Sequence, residues 1–212
     1  MKIGFFAVGI GHLSRPDMVK TVAVNAERLN FATVWAPEHV VLLDQHISKY
    51  PYSKGEFPLP ADTPFADPFT TLAYAAAYTT RVKLVTGICL VPEHNPVVLA
   101  KVTATLDQLS GGRFTLGVGV GWCGFNLTPA EAADKLKSLD HLLKAAGRKR
   151  SDIYMALSPY TKPITRDDLK RYHDLGVDEI GLIEFAPPAT ERELVAKMEQ
   201  IAREWVEPAS KI

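Results

Sequence analysis

Cysteine is scarce in this chain: Cys89 and Cys123 are the only two in 212 residues. They form no CxxC and have no metal-ligand spacing, which excludes a disulfide scaffold and a ribbon-type zinc domain and fits free thiols in a reducing cytoplasm. Charge of one sign is also missing, because 24 basic side chains balance 24 acidic ones. That balance removes the electrostatic case for a nucleic-acid partner or an anionic membrane surface. Long apolar runs are absent too, each being broken by glycine or proline, so no membrane span is expected. The opening MKIGFFAVGIGHLS has an apolar run but no full signal-peptide core and no small-x-small cleavage site, and it reads as a first buried strand. A dinucleotide fingerprint is lacking as well, since GIGHLS carries two of the three required glycines.

What is present is an alternation of strand and helix over one expected domain, residues 1–212. Apolar β-rich runs predict strands at Lys2–Val8, Thr33–Ala36, Val82–Val91, Phe114–Gly121, Ile153–Ser158 and Glu179–Glu184. Between them lie helices with readable starts. Ser14 caps the first, which runs to about Asn30. Asp67-Pro68 opens the second, to about Thr80, and Pro96–Leu109 forms the third, closed by Gly111-Gly112. Capping boxes or caps at Thr128, Thr165 and Thr190 start the last three. Residues 37–66 form a long proline-bearing loop containing Tyr50, Tyr52 and Phe57, expected to line or cover a pocket.

Six β-then-α units with near-continuous apolar strands predict an α/β fold whose parallel sheet is buried by helices. A doubly wound sheet and a (β/α) barrel both fit, and in either one the chemistry sits at the carboxyl ends of the strands. The run LGVGVGW places Gly117, Gly119 and Gly121 on one strand face. Alternating glycines weaken a strand, so they mark either close approach of a ligand or tight packing of a narrow barrel interior.

Two stretches carry a resemblance. WAPEH (Trp35–His39) follows the second strand, and ADPFTTLAYAAAYTTRVKLVTGICLVPEHNPVVLAKVTATLDQLSGGRFTLGVGVGW spans residues 66–122. Together they resemble the bacterial luciferase-like superfamily, in its coenzyme F420-dependent oxidoreductase branch. The resemblance implies a (β/α)8 TIM-type barrel, incomplete here at about six units, with the cofactor ring at the carboxyl mouth. It implies hydride transfer between F420 and a small organic substrate. An FMN-dependent luciferase-like monooxygenase and an inactive shortened flavin-binding paralogue are the alternatives. By the same resemblance His39 contacts the ring and transfers a proton, a role suited to its ordinary pKa of about 6.5. Glu38, Thr86, Gly87, Ile88, Gly119 and Gly121 are then further cofactor contacts, and a non-proline cis peptide is expected at Gly87-Ile88.

Glu93 and His94, before Asn95-Pro96, are expected to face substrate. Cys89 reads as a small buried hydrophobe, and Asp107 as structural with Arg113 as partner. No metal is expected, because His12, His46, His141 and His173 add no ligand pattern to His94. Family members are often dimers, and a shortened barrel would expose apolar surface that a second copy covers. The junction Trp122–Cys123 joins two distant parts of the family pattern, omitting a phosphate-binding turn. It marks either an internal deletion or a gap in the chain.

Overall fold

A computed structural model describes residues 1–42, 59–118, 123–160, 162–183 and 188–212, without the side chains of residues 123–125. Among the described residues, seven strands and six helices of nine or more residues follow one another along the chain. They are β1 (Lys2–Phe6), α1 (Pro16–Arg28), β2 (Thr33–Ala36), α2 (Pro68–Ala76), β3 (Lys83–Thr86), α3 (Pro96–Ser110) and β4 (Phe114–Thr115). Then come β5 (Cys123–Phe125), α4 (Pro129–Ala145), β6 (Ala156–Ser158), α5 (Arg166–Asp174), β7 (Glu179–Ile183) and α6 (Glu191–Ile201). All pairings are parallel, in the order β4-β3-β2-β1-β7-β6-β5. None of the helices among the described residues is long and apolar enough to cross a membrane.

The sheet has to curl. Register puts Thr115 level with Phe6 through Val85 and Trp35, and Cys123 level with Lys2 through Ala156 and Glu179. Seven flat strands would be about 29 Å wide, and the four-residue offset adds about 13 Å along the strands. The eight peptide links from Thr115 to Cys123 reach at most roughly 29 Å, short of the resulting diagonal of about 32 Å. The covalent chain therefore draws the two edges toward each other into an incomplete barrel of the TIM type.

The two faces of the sheet differ as alternation requires. Ile3, Phe5, Val34, Ala36, Leu84, Leu157 and Ile180 join the main core under the helices. Phe6, Trp35, Val85 and Ala156 form a second cluster on the concave face. Beneath it lies a polar floor. The buried Glu179 carboxylate accepts from the Thr33 hydroxyl, from Trp35 Nε1 at 2.8 Å and from the Tyr154 hydroxyl at 2.7 Å. Burial, and then the Glu179 charge, push the Tyr154 hydroxyl far above its ordinary value.

Several boundaries depart from expectation. Ser14 lies in a 3-10 turn, Gly11–Ser14, where its hydroxyl donates to the Gly11 carbonyl, and Arg15 is the residue preceding α1. The serine found a local backbone acceptor in place of the helix start. The run 114–121 is no single strand: β4 ends at Thr115, Val118 makes one bridge to Cys89, and β5 pairs with β6 on the opposite edge. Gly119, Gly121 and the junction residue Trp122 fall outside the described residues, as do Tyr50, Tyr52, Phe57, His46 and Glu184. Arg113 does not pair with the Asp107 side chain. Its guanidinium instead donates to the carbonyls of Ala76, Thr79, Val82 and Ser110. The fork of five donors is better matched by this converging set of carbonyls than by one carboxylate.

The turn into β3 is held by a carboxylate. Glu27, in the last turn of α1, accepts from the N–H groups of Thr80 at 2.9 Å, Arg81 at 2.6 Å and Val82 at 3.0 Å. Burial alone would raise the pKa of Glu27, but these donors outweigh it and bring the carboxyl from 4.5 to about 2. Because the folded value is depressed, the stabilisation is complete above the unfolded value and is lost as pH falls toward about 2. Glu27→Gln is expected to cost about 1–2 kcal/mol at pH 7, the full shift being discounted for solvent screening. Denaturant titrations should show a smaller stability difference between pH 7 and pH 3 in the variant than in the parent.

Candidate functional site at the carboxyl rim

Strands β1, β2 and β3 end side by side, and the loops after β2 and β3 meet at their carboxyl ends. The Gly87 N–H donates to the Ala36 carbonyl at 2.8 Å, which extends the β2–β3 pairing one step past β3. The chain then turns through a cis peptide at Gly87-Ile88, as the sequence resemblance implies. Gly87 is required by close approach: a Cβ there would lie 2.7 Å from Trp35 Cε3 and 2.8 Å from Phe6 Cε2. Those two rings stack at 5.9 Å with 28° between their planes and form the concave surface below the rim.

His39 stands three residues beyond β2, reaches solvent, and packs edge-on against Phe65 with ring centroids 5.3 Å apart. Partial burial lowers its pKa, against the opposing pull of the Glu93 and Glu38 charges. Glu93 itself is exposed on the neighbouring loop. Thr86 is fully buried, and its hydroxyl bonds both the N–H and the carbonyl of Gly117 at 2.9 Å. A Cβ on Gly117 would collide with the Thr86 carbonyl. Of the two readings of the alternating glycines, close backbone packing therefore explains Gly117.

Glu38 and His94, expected to contact cofactor and substrate, are brought onto each other. Glu38 is 6% exposed. Its Oε1 lies 2.8 Å from His94 Nε2, and its Oε2 accepts from the Leu90 N–H at 2.6 Å. Cys89 lies beside them, and one ligand atom from each of Glu38, Cys89 and His94 falls within 4.8 Å of the others. Burial, then the Glu38 and Asp67 charges, push the Cys89 thiol up to about 11. The three residues are 38, 89 and 94 in sequence, so no local spacing announces the cluster. The buried Glu179 is equally silent: it sits in an apolar run, and its partners Thr33 and Trp35 are 146 and 144 residues away.

With this geometry in view, comparison with known proteins decides the kinship. The profile of the luciferase-like monooxygenase family matches residues 1–126. The chain belongs to the luciferase-like monooxygenase family. An uncharacterised protein of Mycobacterium tuberculosis is 41% identical over 99 residues, covering 46% of this chain and 35% of that protein. A putative coenzyme F420-dependent oxidoreductase of the same organism is 32% identical over 107 residues, covering 47% of this chain and 30% of that protein. The chain thus spans about a third of the length of the curated relatives it matches. Among solved structures, an F420-dependent secondary alcohol dehydrogenase in complex with an F420-acetone adduct superposes with a TM-score of 0.70. At 13% identity, over 98% of each chain, that likeness establishes the luciferase-like fold alone.

Proposed function

We propose that this luciferase-like chain is an F420-dependent oxidoreductase that passes hydride between the deazaflavin and a small organic substrate, with His39 transferring the accompanying proton. The observation that carries the reading is the position of His39 at the carboxyl rim, three residues past the end of β2, where the Ala36 carbonyl takes the Gly87 N–H just before the cis Gly87-Ile88 turn. The rim suits a planar ring: it sets the Gly87-Ile88 backbone over the Phe6–Trp35 stack and places His39 among the titratable side chains of the same pair of loops. When bound, the deazaflavin supplies the hydride chemistry. His39 then gives or takes a proton at the substrate oxygen through its imidazole nitrogen. Phe65 holds the ring edge-on, which restricts the direction in which that nitrogen points. Kinship with a putative F420-dependent oxidoreductase supports this choice over FMN.

The phosphate tail fits less well. Helix N-termini at the rim are the natural anion donors in a β-then-α fold. Those of α4 and α5 are closed by their own capping boxes, Thr128 with Glu131 and Thr165 with Asp168, and Thr190 with Glu193 closes α6. The two boxes and the Thr190 cap set a carboxylate or hydroxyl where a phosphate oxygen would bind at these three N-termini. Charge-assisted hydrogen bonds are worth roughly 1.5–3 kcal/mol each, so two missing bonds weaken binding by about two to four powers of ten. Calorimetry under anaerobic conditions should therefore find F420 and its phosphate-free ring fragment within about tenfold of each other, and FMN weaker than both. Preference for FMN would overturn the cofactor assignment, and tight tail-dependent F420 binding would overturn the account of the tail.

A further inference from the structure

We propose that Glu38, Cys89 and His94 form a binding site for one divalent metal ion of the zinc type, tying the loop after β2 to the loop after β3. A thiolate, an imidazole and a carboxylate are a donor set that zinc accepts, with a fourth position left for water. The three ligand atoms already lie within 4.8 Å of one another. Zinc bonds of about 2.0–2.3 Å in a tetrahedron place ligand atoms roughly 3.3–3.7 Å apart, so side-chain adjustments of about 1 Å suffice.

The surroundings of the cluster support the assignment. The Leu90 N–H engages Glu38 Oε2, which orients the carboxylate and leaves Oε1 toward His94 and Cys89. The His94 ring packs edge-on against Phe69 at 5.8 Å, which fixes the plane of the imidazole. Such outer contacts are what a metal site needs to hold its ligands in place. Asp67 adds a second negative charge near the thiol, so the site attracts a cation without an opposing Lys or Arg among its described contacts. Access exists too: the Cys89 side chain is buried, but His94 is 22% exposed and lines an open groove with Asp67, Phe69, Val98 and Leu99. On binding, the Cys89 proton and any proton on His94 leave to solvent, and no oxidation state changes.

The test uses the purified chain after chelator treatment, titrated with Zn²⁺ against a chromophoric competitor. One equivalent should bind. Cys89→Ser and His94→Ala should each weaken that site by about 100-fold or more, beyond what loss of an outer contact costs. Cys123→Ser should bind as the parent does. With Co²⁺, a thiolate charge-transfer absorption should appear in the parent and vanish in Cys89→Ser. Circular dichroism and melting curves establish that each variant is folded. Should Cys89→Ser fail that check, the more exposed His94→Ala decides. Parent protein that takes up no stoichiometric zinc, or folded His94→Ala that binds as tightly as the parent, would overturn the site.

Discussion

Replacing His39 with asparagine should lower turnover by about 10²–10⁴, the range typical for loss of a positioned general acid or base. Asparagine keeps a polar group of similar reach at the rim but cannot carry the proton. The ring of the cofactor would still meet the Phe6–Trp35 surface and the Gly87-Ile88 backbone, so F420 affinity should change by less than about tenfold. That split between rate and binding is what separates a proton-transfer role from a packing role. If His39 only props Phe65, which it meets edge-on at 5.3 Å, the variant should instead lose affinity and rate together. Steady-state kinetics with reduced and oxidised F420, alongside calorimetric binding, read both quantities. A variant with parental turnover would remove His39 from the reaction.

The second large effect concerns stability. Gly4, in the middle of β1, lies directly over the polar floor of the concave face. A Cβ there would overlap the Thr33 hydroxyl and a Glu179 carboxylate oxygen and come within 2.7 Å of Trp35 Nε1. None of these atoms is the free end of a mobile chain: Thr33 and Glu179 are buried and all three are bonded to one another. Gly4→Val must therefore move the strand or break the network and leave a buried carboxylate underpartnered. Either outcome is expected to cost more than about 4 kcal/mol, a large share of the roughly 5–15 kcal/mol that holds a domain folded. Gly147→Ala is the control, since a Cβ there meets nothing within 4 Å and only the φ of +68° resists it. Its cost should be about 1 kcal/mol. Soluble yield and thermal unfolding should separate the two clearly; a soluble Gly4→Val melting within a few degrees of the parent would refute the account of the floor.

What could be read from the chain beforehand was what local chemistry encodes. The β-then-α alternation follows from apolar strands and from caps such as Asp67, Thr128 and Thr165, whose side chains do accept helix N–H groups. The rim position of His39 follows from its place just after an apolar strand. What local chemistry does not encode has a different cause. Glycine alternation makes 114–121 look like one strand, although β4 ends at Thr115 on one edge of the sheet and β5 begins at Cys123 on the other. Glu38 and His94 belong to separate loops in sequence, and only the approach of those loops makes them partners. Glu179 has no local signal at all, since its partners come from β2 and from Tyr154, just before β6.

The pairing of β1 with β7 has a consequence for how the chain is made. Residues 2–6 leave the ribosome long before residues 179–183, yet they are neighbours at the centre of the sheet. The first four strands can associate early, β1 through β4 being consecutive neighbours. During the rest of translation β1 then presents an unpaired edge, and Thr33 and Trp35 wait without the carboxylate that later satisfies them. Such late closure of a long loop slows folding and leaves a partly built sheet exposed to wrong pairing. A ribosome-stalled chain ending before β7 should accordingly be held by chaperones, and release should track the appearance of the last strand.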